Sequence, residues 1–483
     1  METWLIANLA PVMFAALVLF LLIGYPVAFS LAAVGMLFGF IGIELGMLTP
    51  ALLQALPDRI FGIMHNEILL AIPFFTFMGL ILERSGMAED LLDTVGQIFG
   101  GIRGGLAYAV IFVGALLAAT TGVVAASVIA MGLISLPIML RYGYHKPLAA
   151  GVIAASGTLA QIIPPSLVLI VMADVLGRSV GEMYQGALLP GLLLTGFYAL
   201  YVFGVTLVRP DYAPPLPLAA RTLHGRALAL RVMIALLPPL ALIFLVLGTI
   251  FIGWATPTEG GAMGAVGALI LAAAKGRLKL EMVQQSLLTT ARITSFVVFI
   301  LIGSSVFSLS FRGVDGDLWV EHLLTGLPGG AFGFLIFVNL LVFLLAFFLD
   351  FFEIAFIILP LLAPVAAKFG IDMVWFGVLL GVNMQTSFMH PPFGFALFYL
   401  RSVAPPEIRT ADIYRGAIPF LAIQILMVIL IIAFPQLVNH GLDTAVTNRT
   451  PTEIAIPNQA ESSLLDTDDF NGLFAAPPAT AKP

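Results

Sequence analysis

The sequence contains no cysteine, which excludes disulfides, thiolate nucleophiles and cysteine-ligated zinc and leaves the redox compartment open. Charge is scarce too. The 21 basic and 27 acidic residues make up 10% of the 483, against roughly 25% in a soluble globular protein, so a water-soluble fold is excluded. Histidine is sparse and scattered: His65, His145, His224, His322, His390 and His440 stand singly, without metal-ligand spacing. Met1-Glu2-Thr3 carries no basic n-region, and no small-residue cleavage site follows it, so the first apolar run is expected to be a retained span. The net charge of −6 owes much to the acidic C-terminal tail and implies no nucleic-acid surface.

What fills the chain instead is apolar: 60% of it is hydrophobic. The runs are continuous rather than alternating, which suits helices and not barrel strands, because backbone polar groups in hydrocarbon must be satisfied within the segment. Spans are expected near 4–24, 27–43, 66–82, 148–176, 187–208, 232–252, 257–274, 293–311, 373–400 and 416–438. Two stretches, 104–140 and 323–367, do not fit this scheme. The first is uncharged throughout and as one straight helix would be ~55 Å long, against ~30 Å of hydrocarbon. Breaks are written at Thr120-Thr121-Gly122 and at Leu349-Asp350; the first stretch is ended by Leu136-Pro137, and the second carries Leu359-Pro360. Both read as re-entrant helical hairpins.

These hairpins belong to a long internal repeat. Pro26 corresponds to Pro257, Gly86 to Gly313, Pro137 to Pro360, and Pro164-Pro165 to Pro391-Pro392, at separations of 231, 227, 223 and 227 residues. The expected organisation is a first repeat over 1–230 (hairpin 104–140, broken helix 148–176) with a cytoplasmic connection, and a second over 231–438 (hairpin 329–368, broken helix 373–400). A disordered polar tail, 439–483, follows. Placing Arg209, Arg221, Arg226 and Arg231 inside also brings in Lys275, Arg277 and Lys279, then Arg84, Arg103, Arg141, Lys146, Arg292, Arg401, Arg409 and Arg415. That asymmetry follows the positive-inside rule and leaves the hairpins opening to opposite sides. Inverted repeats meeting near the midplane are the architecture of secondary transporters. Segments 86–99 and 279–290 read as amphipathic interfacial arms.

Each repeat thus offers two interruptions in apolar helix. In the first they are Thr120-Thr121-Gly122 and Ser156-Gly157-Thr158, with Gln161 and Pro164-Pro165-Ser166 beyond. In the second they are Asp350 with Glu353, and Asn383-Met384-Gln385-Thr386-Ser387 before Pro391-Pro392. Unwound backbone frees carbonyls that, with hydroxyl, amide or carboxylate oxygens, suit Na⁺, and the half-helix N-termini beyond the breaks suit a carboxylate. The Na⁺ candidates are Thr120, Thr121, Gly122, Gly157, Thr158, Asp350, Gly381, Asn383 and Thr386. The substrate candidates are Ser156, Gln161, Pro165, Ser166, Gln385 and Ser387. Each has a plainer reading: interhelical packing for the threonines, a kink for the prolines, a hydrogen-bonded packing role for His390, and a helix cap for Glu259. The many phenylalanines read as lipid-facing or core-filling.

The run Gly157-Thr158-Leu159-Ala160-Gln161-Ile162-Ile163-Pro164-Pro165-Ser166, the Pro257-Thr258-Glu259 helix start, and Gln385-Thr386-Ser387-Phe388 before Pro391-Pro392-Phe393-Gly394-Phe395-Ala396 strongly resemble the large membrane (M) subunit of tripartite ATP-independent periplasmic (TRAP) transporters, DctM-like. The second stretch most resembles the mannitol, chloroaromatic or 2-oxo acid branch. The resemblance implies an all-α polytopic, ion-transporter-superfamily-like fold of the bacterial inner membrane. It implies an elevator-type Na⁺ symporter of a small organic anion, not an enzyme and without an organic cofactor. It also implies two partners, a small four-helix membrane subunit (DctQ-like) and a periplasmic substrate-binding protein (DctP-like). Two departures stand out: Thr-Thr-Gly at the first tip, where many relatives have a Ser-Gly-Ser type sequence, and His390 where threonine is common. A stand-alone ion-coupled carboxylate carrier or antiporter stays open as an alternative. So does an intramembrane enzyme using Asp350 and His390.

Overall fold

Helices form where the chain is apolar, and many of them end at a glycine or just before a proline. The computed structural model describes residues 2–440, and among these every regular element is helical. In chain order the main helices are α1 (Leu9–Ile23), α2 (Val27–Glu44), α3 (Leu56–Met64), α4 (Ala71–Arg84), α5 (Met87–Phe99), α6 (Gly105–Thr121), α7 (Val124–Arg141), α8 (Lys146–Thr158), α9 (Leu167–Val175) and α10 (Val180–Val208). They continue as α11 (Gly225–Phe251), α12 (Pro257–Ala274), α13 (Leu280–Gly313), α14 (Gly316–Thr325), α15 (Gly330–Leu345), α16 (Phe351–Lys368), α17 (Met373–Gln385), α18 (Phe395–Val403) and α19 (Thr410–Ala433). Eight of them are long and apolar enough to cross a bilayer. Large apolar side chains such as Phe244 and Val208 stand almost fully exposed on the outer helices, as a lipid-facing surface requires.

The expected breaks are present. α6 ends at Gly122, whose φ of +59° is left-handed and which glycine adopts without a Cβ penalty. α15 ends before Asp350, α8 is interrupted after Thr158, and α17 after Gln385. Both proline pairs, Pro164-Pro165 and Pro391-Pro392, are cis. Buried along their lengths from Leu148 to Thr158 and from Met373 to Gln385, α8 and α17 form the centre of the bundle. Their packing is reciprocal. α2 lies along α13 as α4 lies along α12, α8 meets α19 as α17 meets α10, and α9 meets α17 as α18 meets α8. Within each half the two hairpin arms lie against the broken helix of that half.

Four expectations need correction. The segment 279–290 is not a separate arm but the start of the 34-residue α13, since no glycine or proline interrupts it before Gly303. In the first half the corresponding helix α3 is cut off, where Asn66 accepts from Ile68 N (2.9 Å) and donates to Asp174 (2.7 Å). The true counterpart of the arm α5 is α14, which follows the Arg312-Gly313 turn. Pro137 does not end its helix but sits inside α7, and the first span is divided at Asn8. Beyond His440 the polar tail lies outside the described residues.

Pro360 acts locally rather than as a terminator. It has no N–H to offer the carbonyl four residues back, at Phe356, and the helix opens to a π turn over Ile354–Ile358. Ser304 of α13 donates to that freed carbonyl at 2.5 Å. The arm α5 is fixed electrostatically: Asp90 bonds Lys275 (2.9 Å) and lies near Arg277 (3.3 Å) and Arg231 (3.7 Å). Burial alone pushes the Asp90 carboxyl up, but the Lys275 hydrogen bond and charge, then Arg277 and Arg231, hold it below the usual carboxylate range.

Candidate functional site

The two interruptions of each half come together. A Cβ on Gly122 would lie 3.4 Å from the Pro165 carbonyl and 3.5 Å from Leu167, so the first hairpin tip rests on the first break. The second tip rests on the second break through Phe347, which stacks on His390 at 3.8 Å. Both arms of the first hairpin press on α8: a Cβ on Gly114 would meet Ser156 at 2.6 Å, and one on Gly157 would meet Val128 Cγ2 at 2.3 Å.

Between the tips is a cavity of about 260 Å³. It is walled by Gly122–Ala125 and Asp350–Phe352 from the tips, by Gln161, Leu167 and Val168 from the first break, and by Phe388, Phe395 and Tyr399 from the second. α13 closes it with Ile293 and Phe296. The first turns of α7, α9, α16 and α18 all reach this wall. Each brings N–H groups without intrahelical partners and the positive end of a helix dipole, which favours negative charge; among the described residues the lining carries one carboxylate, Asp350, and no lysine or arginine side chain.

The two halves touch at a hydrogen-bonded centre. Gln385 Nε2 donates to Thr158 Oγ1 at 3.1 Å, and these residues are 227 apart, the same offset as the two proline pairs. A residue that meets its own repeat counterpart lies on a pseudo-two-fold axis. Gln424 Nε2 also donates to Thr158 Oγ1 (3.2 Å) and to the Tyr198 hydroxyl (2.9 Å), a pair 226 apart. Sequence reading missed Gln424 and Tyr198. A lone amide inside the otherwise apolar run of α19 was the available signal, since intramembrane polar groups are retained for a reason.

The remaining candidates are dispersed. Gln161 is 1% exposed, with neither amide atom hydrogen-bonded among the described residues, and it lines the cavity. Ser166 does not face the cavity as a free hydroxyl. It caps α9 and donates to the Gln161 carbonyl at 2.5 Å. Thr120, Thr386 and Ser387 donate back to Leu117, Asn383 and Met384 carbonyls, and Ser156 packs beneath Gly114. Asn383 Nδ2 donates to both the main-chain carbonyl and the side-chain oxygen of Asn339 on α15 (2.8 and 3.0 Å). Thr121 closes α6, and Pro165 shares the cis bond of its pair. Asp350 and Glu353 form a capping box at the start of α16 (3.1 and 2.9 Å), as Thr256 and Glu259 do for α12. His390 packs as expected but without hydrogen bonds among the described residues, held by Phe347 and Phe343. The phenylalanines are not all lipid-facing or filler: five line the cavity.

The glycine candidates separate by what surrounds them. A Cβ at Gly381 meets only Leu169, at an ordinary 3.7 Å. Gly157→Ala is therefore expected to cost about 1–3 kcal/mol by overpacking against stiff Val128, whereas Gly381→Ala is neutral or gains up to ~1 kcal/mol of helix propensity. Thermal unfolding in detergent tests this, and equal midpoints for the two variants would contradict it.

The comparisons with known proteins agree with this architecture. Residues 14–437 match the family model described as "Tripartite ATP-independent periplasmic transporter, DctM component". The C4-dicarboxylate TRAP transporter large permease protein DctM of Rhodobacter capsulatus is 31% identical over 86% of this chain and 96% of its own. The sialic acid TRAP transporter large permease protein SiaM of Vibrio cholerae is 28% identical over 86% and 93%. Among solved structures, the Alcanivorax borkumensis YdaH transporter shares the fold, with a TM-score of 0.56 at 17% identity, covering 80% of this chain and 89% of that one. TRAP large permeases are multi-pass inner-membrane proteins that by family work with a small membrane subunit and a periplasmic binding protein. The chain belongs to this family, as a DctM-type large permease subunit of a TRAP transporter.

Proposed function

We propose that the chain imports a small carboxylate-type organic anion by Na⁺ symport through an elevator movement. In this reading 1–230 and 231–438 are inverted repeats, a DctP-like periplasmic protein delivers the substrate, and a DctQ-like four-helix subunit is bound alongside. The observation that carries this is the cavity between the two hairpin tips, where four helix starts converge and, among the described residues, no basic side chain lines the wall. Such a site attracts an anion by dipoles and backbone N–H groups alone.

Na⁺ enters as cargo. Among the described residues no group of three or more His, Asp or Glu side chains could hold a metal, so the donors on offer are carbonyl and hydroxyl oxygens at the breaks. These are the first tip with Gly157-Thr158, and the second tip with Gly381 to Thr386. The reciprocal packing and the Thr158–Gln385 contact support two related halves able to expose one site alternately.

Uptake into proteoliposomes containing the three components is expected to require an inward Na⁺ gradient and the binding protein. Uptake indifferent to the gradient removes the coupling. Uptake by the permease without the binding protein instead favours a stand-alone carrier.

A further inference from the structure

From the walls of this cavity we infer that the transported anion is a monocarboxylate with an apolar body about the size of one aromatic ring, rather than a dicarboxylate or an acidic sugar. The inference rests on the transport reading above and adds the substrate class.

Six aromatic rings line the cavity, in two groups. Phe296, Phe351 and Phe352 form one cluster, with Phe296 edge-on to Phe352 at 6.1 Å and Phe351 against Phe352 at 3.8 Å. Phe388 and Phe395, 5.8 Å apart, form another, and Tyr399 lines the cavity with them. Aromatic walls hold a flat apolar group by burial and by edge-to-face contact. They give nothing to a polyhydroxylated sugar, whose hydroxyls would be stripped of water without replacement partners.

Among the lining side chains, the buried amide without a partner is Gln161. Gln161, 1% exposed and with both amide atoms unpartnered, stands beside the first turns of α7 and α9. Its Nε2 donates to one carboxylate, and its Oε1 accepts from a hydroxyl or N–H next to that carboxylate. A second carboxylate finds no lysine, arginine or histidine on the lining and meets the Asp350 side chain instead. Like charges so placed repel. Volume agrees: ~150 Å³ of apolar cavity accommodates benzene, so about 260 Å³ takes one ring with a short acid arm.

The test uses the full chain, purified in nanodiscs in Na⁺ buffer, with phenylacetate, succinate and N-acetylneuraminate as probes. Calorimetry is expected to give phenylacetate at least tenfold tighter binding than either of the others. Gln161→Leu is expected to weaken phenylacetate tenfold or more with an unchanged unfolding midpoint of the ligand-free protein, and Gln161→Glu to weaken it further by repulsion. Phe296→Ala, on the edge of the cavity, is expected to shift preference toward 1-naphthylacetate, a change of selectivity that mere loosening of the fold does not produce. Succinate or N-acetylneuraminate binding as tightly as phenylacetate overturns the substrate class and leaves Na⁺-coupled transport standing. If none of the probes binds, the inference falls alone where uptake still follows the Na⁺ gradient. Both readings fall where it does not.

Discussion

Gly416→Ala is expected to destabilise the permease by about 3 kcal/mol or more. A Cβ there would lie 2.0 Å from the Pro147 carbonyl oxygen and 2.9 Å from Gly151 N, while a Cβ on Gly151 would lie 2.1 Å from the Gly416 oxygen. Backbone thus touches backbone where α8 crosses α19, and neither partner has a flexible end that can yield. Helix propensity works in the opposite direction, since alanine in a helix interior is favoured over glycine by about 0.5–1 kcal/mol. Overpacking a well-packed contact costs typically 1–3 kcal/mol, occasionally more, and here it has only main chain to displace, so packing wins. Gly196→Ala and Gly204→Ala on α10 supply the control. Nothing lies within 4 Å of either added methyl, so propensity alone acts, and the unfolding midpoint should hold or rise. A Gly416→Ala protein as stable in detergent as these controls would mean that the α8–α19 contact does not hold the bundle together. Because Gly151 and Gly416 share that contact, their two alanine variants should not be additive.

The crossing also shows what the sequence conceals. Hairpins, breaks and repeat offset were legible because each is written in glycine, proline and charge, which act locally on the backbone and keep their meaning wherever the chain goes. The breaks at Gly122 and before Asp350 fell where they were expected. The Gly151–Gly416 contact was not legible, for each glycine alone is one small residue in an apolar run, and only tertiary packing pairs them. It is not even repeated, since at the related α10–α17 crossing Gly377 meets the flexible end of Met183 rather than backbone. Candidate residues suffered similarly. Hydroxyls at a break could point to a ligand or back to their own helix, and Thr120, Thr386 and Ser387 took the second course, as such side chains often do. Composition could not tell a cavity phenylalanine from a lipid-facing one. Phe388 and Phe395 bracket the second proline pair and Phe351-Phe352 follows the second tip, so their place beside the breaks was the clue.

Thr158→Val is expected to cut uptake more than tenfold, while Thr158→Ser stays within a few-fold of the parent. The Thr158 hydroxyl donates to the Ala155 carbonyl at 2.8 Å and accepts from both Gln385 and Gln424, so its hydrogen-bonding capacity is full. Valine keeps the shape and removes all three bonds. Gln424 retains Tyr198, but Gln385, fully buried and with its Oε1 already unpartnered, loses the one bond its amide makes among the described residues. Hydrogen bonds between membrane helices average ~0.6 kcal/mol and reach ~1.7, whereas an orphaned buried donor costs about 1–3 kcal/mol. The orphan therefore dominates, and a loss of about 1–3 kcal/mol in stability should accompany the fall in uptake. Adding Gln385→Leu to Thr158→Val removes the orphan as well, so the double variant should regain stability over the single one without regaining transport. That separation distinguishes a contact that merely holds the halves together from one the transport cycle uses. Additive stabilities across the four proteins would deny the coupling of Thr158 to its own repeat counterpart, and with it the axis on which two alternately exposed halves depend.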